Sequence, residues 1–398
     1  MSSHKQKIGV GTAIAVCVNA MIGSGIFTAP AAIASSVGPA GVLAFIFVGF
    51  AVWCLALSFA RLAYQFPETG SFYTYTSAWA GHAGGLFAGL LYIIGLVFAM
   101  GMLTHVCSFY LIKLFPSVSM KFLGLSVLAI LMILNLMGAV LSGIGQHILL
   151  FSTLFPLISV IVVCLTHMQP LDSIVFAPYG FSHVLEATRI AIFGFLGFEC
   201  AASLFGIVKN PQINVPRAVS GSVVIVAFVY ALFVGSLLFA VPLSLLSDFT
   251  VPLSTVLAQV FPNHGWLVLA IHCSILSAIL GTLHSMIWSA STFIHSLIHR
   301  ITFIDRLLQN QSSYTQYASI VILLTGLIAT VFLSFDDLNF FFSLSSLLIV
   351  TAYCLAIIAL LFIKEEWQSF RNIITVLGLG TASIILYFSL QGVLAAFV

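Results

Sequence analysis

Long apolar stretches, separated by short polar segments, recur along the whole chain. An apolar run of about 20 residues is long enough to cross a bilayer as a helix. The pattern predicts eleven membrane-spanning helices, spans 1 to 11, joined mostly by loops so short that neighbouring spans run antiparallel. The predicted spans are 8–34, 40–64, 84–115, 122–141, 147–168, 183–208, 215–241, 265–292, 316–334, 339–363 and 372–396.

The composition agrees with this pattern. Of the 398 residues, 61% are hydrophobic and 6% are charged, whereas soluble domains carry about 25% charged residues. The chain is therefore interpreted as an all-α polytopic membrane protein, with residues 1–398 forming one transmembrane domain. The net charge of +2 and the lack of a dense basic cluster argue against nucleic acid as a partner. The seven cysteines lie in apolar runs without a CxxC pair, so we expect buried, reduced thiols.

The positive charges in the loops predict the orientation. The first apolar run follows two lysines but is far longer than the ~7–15-residue core of a secretory signal, so we expect it to be retained as span 1. Basic loop residues accumulate on the cytoplasmic side. A cytoplasmic N-terminus places nine basic residues inside and three outside. The inside set is Lys5, Lys7, Arg61, Lys209, Arg217, Arg300, Arg306, Lys364 and Arg371, and the outside set is Lys113, Lys121 and Arg189.

Two spans are interrupted in a way that indicates an internal repeat. Gly23-Ser24-Gly25 lies inside span 1, and the segment 194–199, "GFLGFE", lies inside span 6. Paired Gly-interrupted spans at corresponding positions point to an inverted-repeat transporter with its binding site at the breaks. We therefore expect one repeat at about 8–168, a second at about 183–363, and an extra helix at about 372–396.

The breaks have the polarity to hold a zwitterion. Non-helical backbone survives at membrane depth only where it is buried in protein or lines a cavity. A carboxylate suits the amides of Gly23, Ser24 and Gly25 at the N-terminus of a half-helix. An ammonium suits the free carbonyls near Met21 and Ile22 in span 1, and those of Phe193 and Leu196 in span 6. The alternative for "GSG" alone is a small-residue face for helix packing.

Glu199 is the one acidic residue predicted near the middle of the membrane. An ionised carboxylate is costly at that depth, so intramembrane acids are protonated, partnered or in contact with water. Glu199 is therefore a candidate proton-linked or gating group, and the alternative is a neutral acid hydrogen-bonded to a neighbouring helix.

Span 8 and the chain after span 2 carry further polar or aromatic groups. The span 8 histidines cannot converge on one ion from a straight helix, so we expect no metal and no cofactor. His284 is the deepest of them and a candidate for lining the cavity or taking up a proton. The segment 67–75, "PETGSFYTY", fits either an interfacial aromatic belt or a short ordered loop that plugs the cytoplasmic side.

Four motifs together resemble a known family. These are "IGSGIF" in span 1, "PETGSFYTY" after span 2, "GFLGFE" in span 6 and "VKNPQINVPRA" after it. Their order and spacing resemble the amino acid–polyamine–organocation (APC) superfamily, most closely its bacterial amino acid permeases and the arginine/agmatine antiporter group. The resemblance covers about 5–240 and extends more loosely to about 363. It implies a 5+5 inverted-repeat, leucine-transporter-like core with discontinuous helices 1 and 6, in a bacterial inner membrane.

The resemblance also implies roles for individual residues. Ser24 and Gly25 would hold the substrate carboxylate, and the carbonyls of Met21, Phe193 and Leu196 would hold the α-amino group.

Glu199 matches a gating or proton-linked acid, Tyr92 an aromatic gate, and Phe193 the aromatic residue that covers the substrate. The chain departs from the family in having eleven predicted spans instead of twelve, and no lysine in span 5 where some proton-coupled relatives carry one.

The sequence therefore predicts a secondary transporter of amino acids or related amines that works as an exchanger or a proton-linked permease. The apolar residues expected near the site favour neutral or hydrophobic amino acids. The expected partners are the small-molecule substrate and the lipid bilayer, with the protein a monomer or homodimer. We expect no enzyme, because no catalytic cluster converges on facing helices. The lack of an ATP-binding GxxxxGK[ST] motif argues against direct coupling to ATP hydrolysis on this chain. A membrane sensor that binds an amino acid without moving it is the alternative.

Overall fold

The computed structural model describes residues 7–170, 175–181, 183–247, 253–334, 338–362 and 368–395. In these ranges the secondary structure is helical, apart from a single β-bridge. The helices of the first part are α1 (Val10–Met21), α2 (Gly25–Ser36), α3 (Val42–Gln65), α4 (Ser71–Leu114), α5 (Met120–Leu136), α6 (Ala139–Thr166), α7 (His183–Ile192) and α8 (Cys200–Ser203). Those of the second part are α9 (Pro211–Ala240), α10 (Leu243–Leu246), α11 (Leu253–Val260), α12 (Trp266–Ile298), α13 (Thr302–Leu308), α14 (Ser313–Leu333), α15 (Leu338–Ile358) and α16 (Gln368–Ala395).

The helices account for the eleven predicted spans. Within the described residues, eight helices are long and apolar enough to cross a membrane, and α1 and α2 form a ninth span bent by 47°. Two shorter apolar segments, Met120–Leu136 and Ile190–Ser203, match predicted spans 4 and 6. Large apolar side chains cover the outside of the bundle, for example Phe47, Phe151, Phe228 and Leu323, each at least 60% exposed. Such a surface fits lipid contact, and the protein is a multi-pass membrane protein.

Two predicted boundaries were wrong. The loop expected at 142–146, between spans 4 and 5, lies inside α6, and the chain turns instead at Met137 and Gly138, whose φ is +97°. The polar residues that suggested a loop are buried and find hydrogen-bond partners on other helices, so the helix tolerates them.

The helix expected at 84–115 begins earlier, at Ser71, and changes direction at Gly81, where φ is +69°. This left-handed conformation is readily adopted by glycine alone. The first turns of α4 therefore form a separate short helical segment before the span. Phe72 and Tyr75 in that segment are fully buried, which favours the ordered plug over an interfacial belt for "PETGSFYTY".

The two interrupted spans meet at their breaks. Gly197 has φ +115°, and a Cβ added there would lie 2.8 Å from the backbone of Ala20 in α1. Only glycine permits this close approach of two backbones. Further along, the β-bridge joins Ile8, just before α1, to Val208 at the end of broken span 6. Both broken spans are therefore fixed to each other at mid-bundle and at the end where α1 begins, called the α1-start end below.

Candidate functional site

The break in span 1 separates α1 from α2. Helix α1 ends at Met21, and the amide of Ile22 still donates to the Val18 carbonyl as in a helix. The amide of Gly23 instead donates to the Met21 carbonyl, at 3.0 Å. Helix α2 begins at Gly25 with Ser24 as its N-cap residue. The three residues between the helices therefore form a tight turn in the middle of the bundle.

The start of α2 presents unused amide donors. Among the hydrogen bonds of the described residues, none involves the amides of Ser24, Gly25 or Ile26. Ser24 is half-buried and Gly25 is exposed, with open space where a Cβ would stand. Free N–H groups at a helix N-terminus carry partial positive charge and attract anions. This part of the break has the polarity that suits a carboxylate.

The carbonyls at the end of α1 are already engaged by side chains from other helices. The hydroxyl of Thr282 in α12 lies 2.8 Å from the Asn19 carbonyl and 3.3 Å from that of Ile22. The hydroxyl of Tyr230 in α9 lies 2.8 Å from the Met21 carbonyl. These contacts satisfy carbonyl groups that a helix end leaves without partners.

Thr282 and Tyr230 were missed by the sequence reasoning. In the sequence, each is a hydroxyl-bearing residue inside an otherwise apolar span. That pattern does not indicate which backbone carbonyl the hydroxyl group contacts.

The break in span 6 has a similar construction. Helix α7 continues into a 3-10 turn at Phe193–Phe195, after which Leu196 is extended with φ −69° and ψ 139°. Phe193 and Leu196 are both half-buried, and the Phe193 ring lies edge-on to Phe342 with centroids 5.0 Å apart. The chain resumes a helical course at Glu199. The predicted residues of both breaks therefore lie close together.

Glu199 is buried and hydrogen-bonded from two sides. Its Oε1 accepts from the Tyr92 hydroxyl, and its Oε2 accepts from the Gly197 amide, both at 3.1 Å. The side chain is 1% exposed, and no basic group of the described residues pairs with it. The Tyr353 side chain also lies close enough to Glu199 to interact with its carboxyl group. The carboxyl group thus links span 3, through Tyr92, to the break in span 6.

An aromatic cluster lies between the breaks and the α1-start end. Phe72 stacks on Tyr92 with centroids 4.1 Å apart and on Tyr353 at 5.9 Å. Other rings of the cluster meet edge to face or tilted, an arrangement that aromatic pairs prefer. The cluster, termed the aromatic plug, consists of Phe59, Phe72, Tyr92, Phe198, Phe293 and Tyr353. Its rings pack against one another beside Glu199, which accepts the hydrogen bond of Tyr92.

The sequence model of the amino acid permease family matches residues 13–398. The chain belongs to the amino acid permease family. The permease is 25% identical to the aspartate-proton symporter of Bacillus subtilis over 67% of this chain, and spans 55% of that relative's length. It is 26% identical to the putrescine transporter PotE of Escherichia coli over 92% of this chain and 86% of PotE.

The solved structure of MhsT in complex with L-phenylalanine resembles the whole permease. The TM-score is 0.70 at 12% sequence identity, covering 98% of this chain and 100% of MhsT. At this identity the likeness establishes the fold alone. The expected inverted-repeat transporter fold with interrupted helices 1 and 6 is thereby confirmed.

His284 lies in a buried polar network behind the break of the permease. Its Nδ1 is 3.1 Å from the amide nitrogen of Gln146 in α6, and the Asn19 amide donates to the Gln146 backbone carbonyl at 2.9 Å. The Ser285 hydroxyl donates to the Gln146 side-chain oxygen at 2.9 Å. His284 is fully buried, and its Nε2 has no partner among the described residues. Three spans are connected through Gln146 next to the end of α1.

The remaining span 8 histidines occupy different surroundings. His295 and His299 lie at the α1-start end of α12, and His299 Nδ1 is 2.7 Å from Asp305. No group of three or more His, Cys, Asp or Glu side chains suited to a metal occurs among the described residues. Both histidines line a cavity of about 520 Å³ beside the second half of span 6. The polar side chains of this cavity are Thr69, Ser203, Thr292, His295, Ser296, His299, Arg300 and Ser313.

Proposed function

We propose that this permease is a secondary transporter of amino acids or related amines that works by alternating access, as an exchanger or a proton-linked permease. The observation that carries the proposal is the pairing of the two breaks. The amides at the start of α2 have no hydrogen-bond partner among the described residues, and a Cβ at Gly25 would meet nothing within 4 Å. Carbonyls of both interrupted spans lie within reach of the one Tyr230 hydroxyl. A zwitterionic group complements both halves of such a site.

The carboxylate is assigned to the span 1 break. The amides of Ser24 and Gly25 would bind it, supported by the partial charge at the start of α2. The Gly23 amide, also predicted for this role, donates to the Met21 carbonyl. Gly23 then contributes mainly the tight turn that exposes the next two amides.

The ammonium is assigned to the opposing carbonyls. Those of Met21 and Ile22 terminate α1, and those of Phe193 and Leu196 belong to the span 6 break. The half-buried Phe193 ring at this position is suited to covering a bound substrate.

A neutral or hydrophobic side chain is the substrate class that the surroundings favour. Glu199 is committed to Tyr92 and the Gly197 amide, so it is not free to meet a cationic side chain. The rings of the aromatic plug, which includes the Tyr92 that holds Glu199, add apolar surface next to the breaks.

Glu199, Tyr92 and His284 are proposed as the gating and proton-linked residues. Tyr92 belongs to the aromatic plug and holds Glu199, so opening of the plug changes the hydrogen bonding of the acid. His284 is tied to α1 through Gln146 and Asn19, and an imidazole is a side chain that can carry a proton. Movement of α1 would therefore alter the environment of both groups.

The proposed setting is a bacterial inner membrane with the N-terminus in the cytoplasm and the permease as a monomer or homodimer. On that orientation the aromatic plug closes the cytoplasmic side. The chain spans about half the length of the aspartate-proton symporter, so that relative's named substrate is not carried over.

Counterflow in proteoliposomes tests the transport proposal. Purified protein is loaded with each common amino acid or its decarboxylation product, and accumulation of the labelled compound is measured. We expect accumulation for at least one neutral amino acid. Binding without exchange across the whole panel would favour the sensor alternative and contradict transport.

The Ser24→Trp variant tests the site itself. An indole at Ser24 is expected to cover the α2 amides beside Gly25, whose Cβ position is open, so counterflow should fall to background while the protein remains folded. Ser159→Trp, on the outer face of α6, is the matched control and should transport normally. Unimpaired counterflow by Ser24→Trp would place the substrate elsewhere.

A further inference from the structure

The cavity of about 520 Å³ at the α1-start end extends from exposed side chains to a buried serine. His299 and Arg300 line it and are 41% and 36% exposed, so this part of the cavity meets solvent. Ser203 also lines it and is only 5% exposed. A polar cavity of this size has room for several water molecules. Water from this end of the bundle can therefore reach the Ser203 side chain.

Ser203 lies on the same side of span 6 as Glu199. The two residues are four positions apart along the short helix α8, of which Glu199 is the N-cap residue and Ser203 the last residue. Residues at this spacing lie one above the other on a helix face. The Ser203 side chain lies close enough to the Tyr92 hydroxyl group to interact with it. A hydroxyl group that borders the cavity is therefore next to the hydrogen-bond partner of Glu199.

Tyr92 connects Ser203 to the acid. Its hydroxyl donates to Glu199 Oε1 at 3.1 Å. Its ring stacks on Phe72 and lies edge-on to Phe293, with centroids 4.1 and 5.6 Å apart, so the phenol is held in place. Each hydroxyl group can donate and accept at the same time. The oxygens of Ser203, Tyr92 and Glu199 therefore form a chain along which a proton can pass.

The other groups around Glu199 do not lead to this cavity. Glu199 Oε2 accepts from the Gly197 amide, which is not an exchangeable acid in this pH range. Besides Tyr92, the titratable side chains of the described residues that lie near Glu199 are Cys17 in α1, Cys200 in α8 and Tyr353 in α15. All three are fully buried and none lines the cavity. Ser203 and Tyr92 are thus the polar connection from the acid to the cavity in the described part of the chain.

We propose that Ser203 is the residue through which Glu199 exchanges its proton with water at the α1-start end. A hydronium ion in the cavity transfers a proton to the Ser203 oxygen and becomes water. The Ser203 proton passes to the Tyr92 oxygen, and the Tyr92 proton passes to Glu199 Oε1, so the carboxylate becomes a carboxylic acid and both hydroxyl groups stay neutral. The reverse sequence releases the proton. This inference rests on the proposed proton linkage of Glu199, and adds to it a route and the side of the membrane that the route serves.

The test measures how fast the Glu199 proton exchanges in purified protein, by infrared spectroscopy after rapid mixing with D2O. The C=O stretch of a protonated carboxyl group shifts when deuterium replaces the proton, and Glu199→Gln identifies the band by removing it. We expect the shift to be at least about tenfold slower in Ser203→Ala than in the unaltered protein. Ser203→Thr retains a hydroxyl group and should restore most of the rate. The relay changes the rate of exchange and not its equilibrium, so the readout is this rate and not the pH dependence of steady transport.

Ser291→Ala is the matched control, because Ser291 is a fully buried serine of α12 that does not line the cavity. Its exchange rate should equal that of the unaltered protein. If Ser203→Ala does not fold, Thr292→Trp places an indole in the cavity from α12 and should slow the exchange by displacing water.

The outcomes separate the route from the proton linkage. Exchange in Ser203→Ala or Thr292→Trp as fast as in Ser291→Ala would overturn the proposed route while leaving Glu199 as the proton-linked acid. If Glu199→Gln removes no band at any pH at which the protein is folded, Glu199 takes up no proton. That result would contradict the proton linkage itself, and the route with it.

Discussion

Gly197 in broken span 6 lies directly against Ala20 in broken span 1. A Cβ at Gly197 would stand 2.8 Å from the Ala20 carbonyl carbon, its carbonyl oxygen and its Cβ. The contact joins the two predicted repeats at the depth of the proposed binding site. Because φ of Gly197 is +115°, both sterics and backbone conformation require glycine.

Replacement of Gly197 by alanine should therefore separate the breaks. A non-glycine residue in such a conformation costs about 1–3 kcal/mol, and the contact with Ala20 adds to this. We expect a lower thermal unfolding temperature and loss of counterflow. Gly221→Ala is the control, since nothing lies within 4 Å of its added Cβ and Gly221 sits inside α9. Normal transport by Gly197→Ala would show that the contact is dispensable.

The Glu199→Gln variant tests proton linkage. Glutamine is nearly isosteric and can still accept a hydrogen bond, but it cannot exchange a proton in this pH range. If Glu199 takes up a proton during the cycle, transport by the variant should become nearly independent of pH between about 5 and 8, measured as initial rates of uptake. Tyr92→Phe keeps the titrating group and removes one hydrogen bond to it. That control should keep its pH dependence.

An unchanged pH profile in Glu199→Gln would return the acid to a structural role. His284 would then be the remaining proposed proton-linked group.

The spans and their breaks could be predicted from sequence because each depends on the residues of one continuous segment alone. Hydropathy identifies a span, and Gly23-Ser24-Gly25 marks a break, without knowledge of any neighbour. The boundary near Gln146 could not be predicted in this way. The polar side chain of Gln146 is typical of a loop. Gln146 nevertheless lies within α6, because Asn19, His284 and Ser285 on other spans form hydrogen bonds with its polar atoms.

The residues of the candidate site could be predicted where they lie inside the breaks, and could not be predicted where they lie on other helices. Ser24, Phe193 and Glu199 lie within the breaks themselves, so a local signal located them. Tyr230 and Thr282 act on the span 1 break from α9 and α12, and their contacts depend on how those helices are rotated about their axes. An apolar span with one hydroxyl fits several rotations equally well, so only the three-dimensional packing identifies the partner.

The ion pair between Arg300 and Glu68 gives a third prediction. Arg300 Nη2 lies 3.1 Å from a Glu68 oxygen, which connects the end of α12 to the segment before the aromatic plug. Both side chains are solvent-exposed, at 36% and 61%, and exposed pairs contribute about 0.2–1 kcal/mol. Charge reversal in Arg300→Glu or Glu68→Arg should therefore favour opening at this end by up to about fivefold.

Opening is measured as the accessibility of a cysteine introduced at Thr292, which lines the adjacent cavity. Its rate of maleimide labelling should rise in each single reversal and return toward the original rate when both reversals are combined. A double variant that labels as fast as the singles would show that the pair does not restrain this end.

The orientation of the permease can be tested at two exposed turns at opposite ends of the bundle. Gln311 lies just before α14 at the α1-start end, and Ser117 lies just before α5 at the other end. The excess of Lys and Arg at the α1-start end predicts that this end is cytoplasmic. In intact spheroplasts, Ser117→Cys should therefore react with a membrane-impermeant maleimide, and Gln311→Cys should react only after permeabilisation. The unaltered chain, in which Cys273 is exposed, supplies the background. If the two positions exchanged their behaviour, the N-terminus would lie outside and the aromatic plug would close the external side.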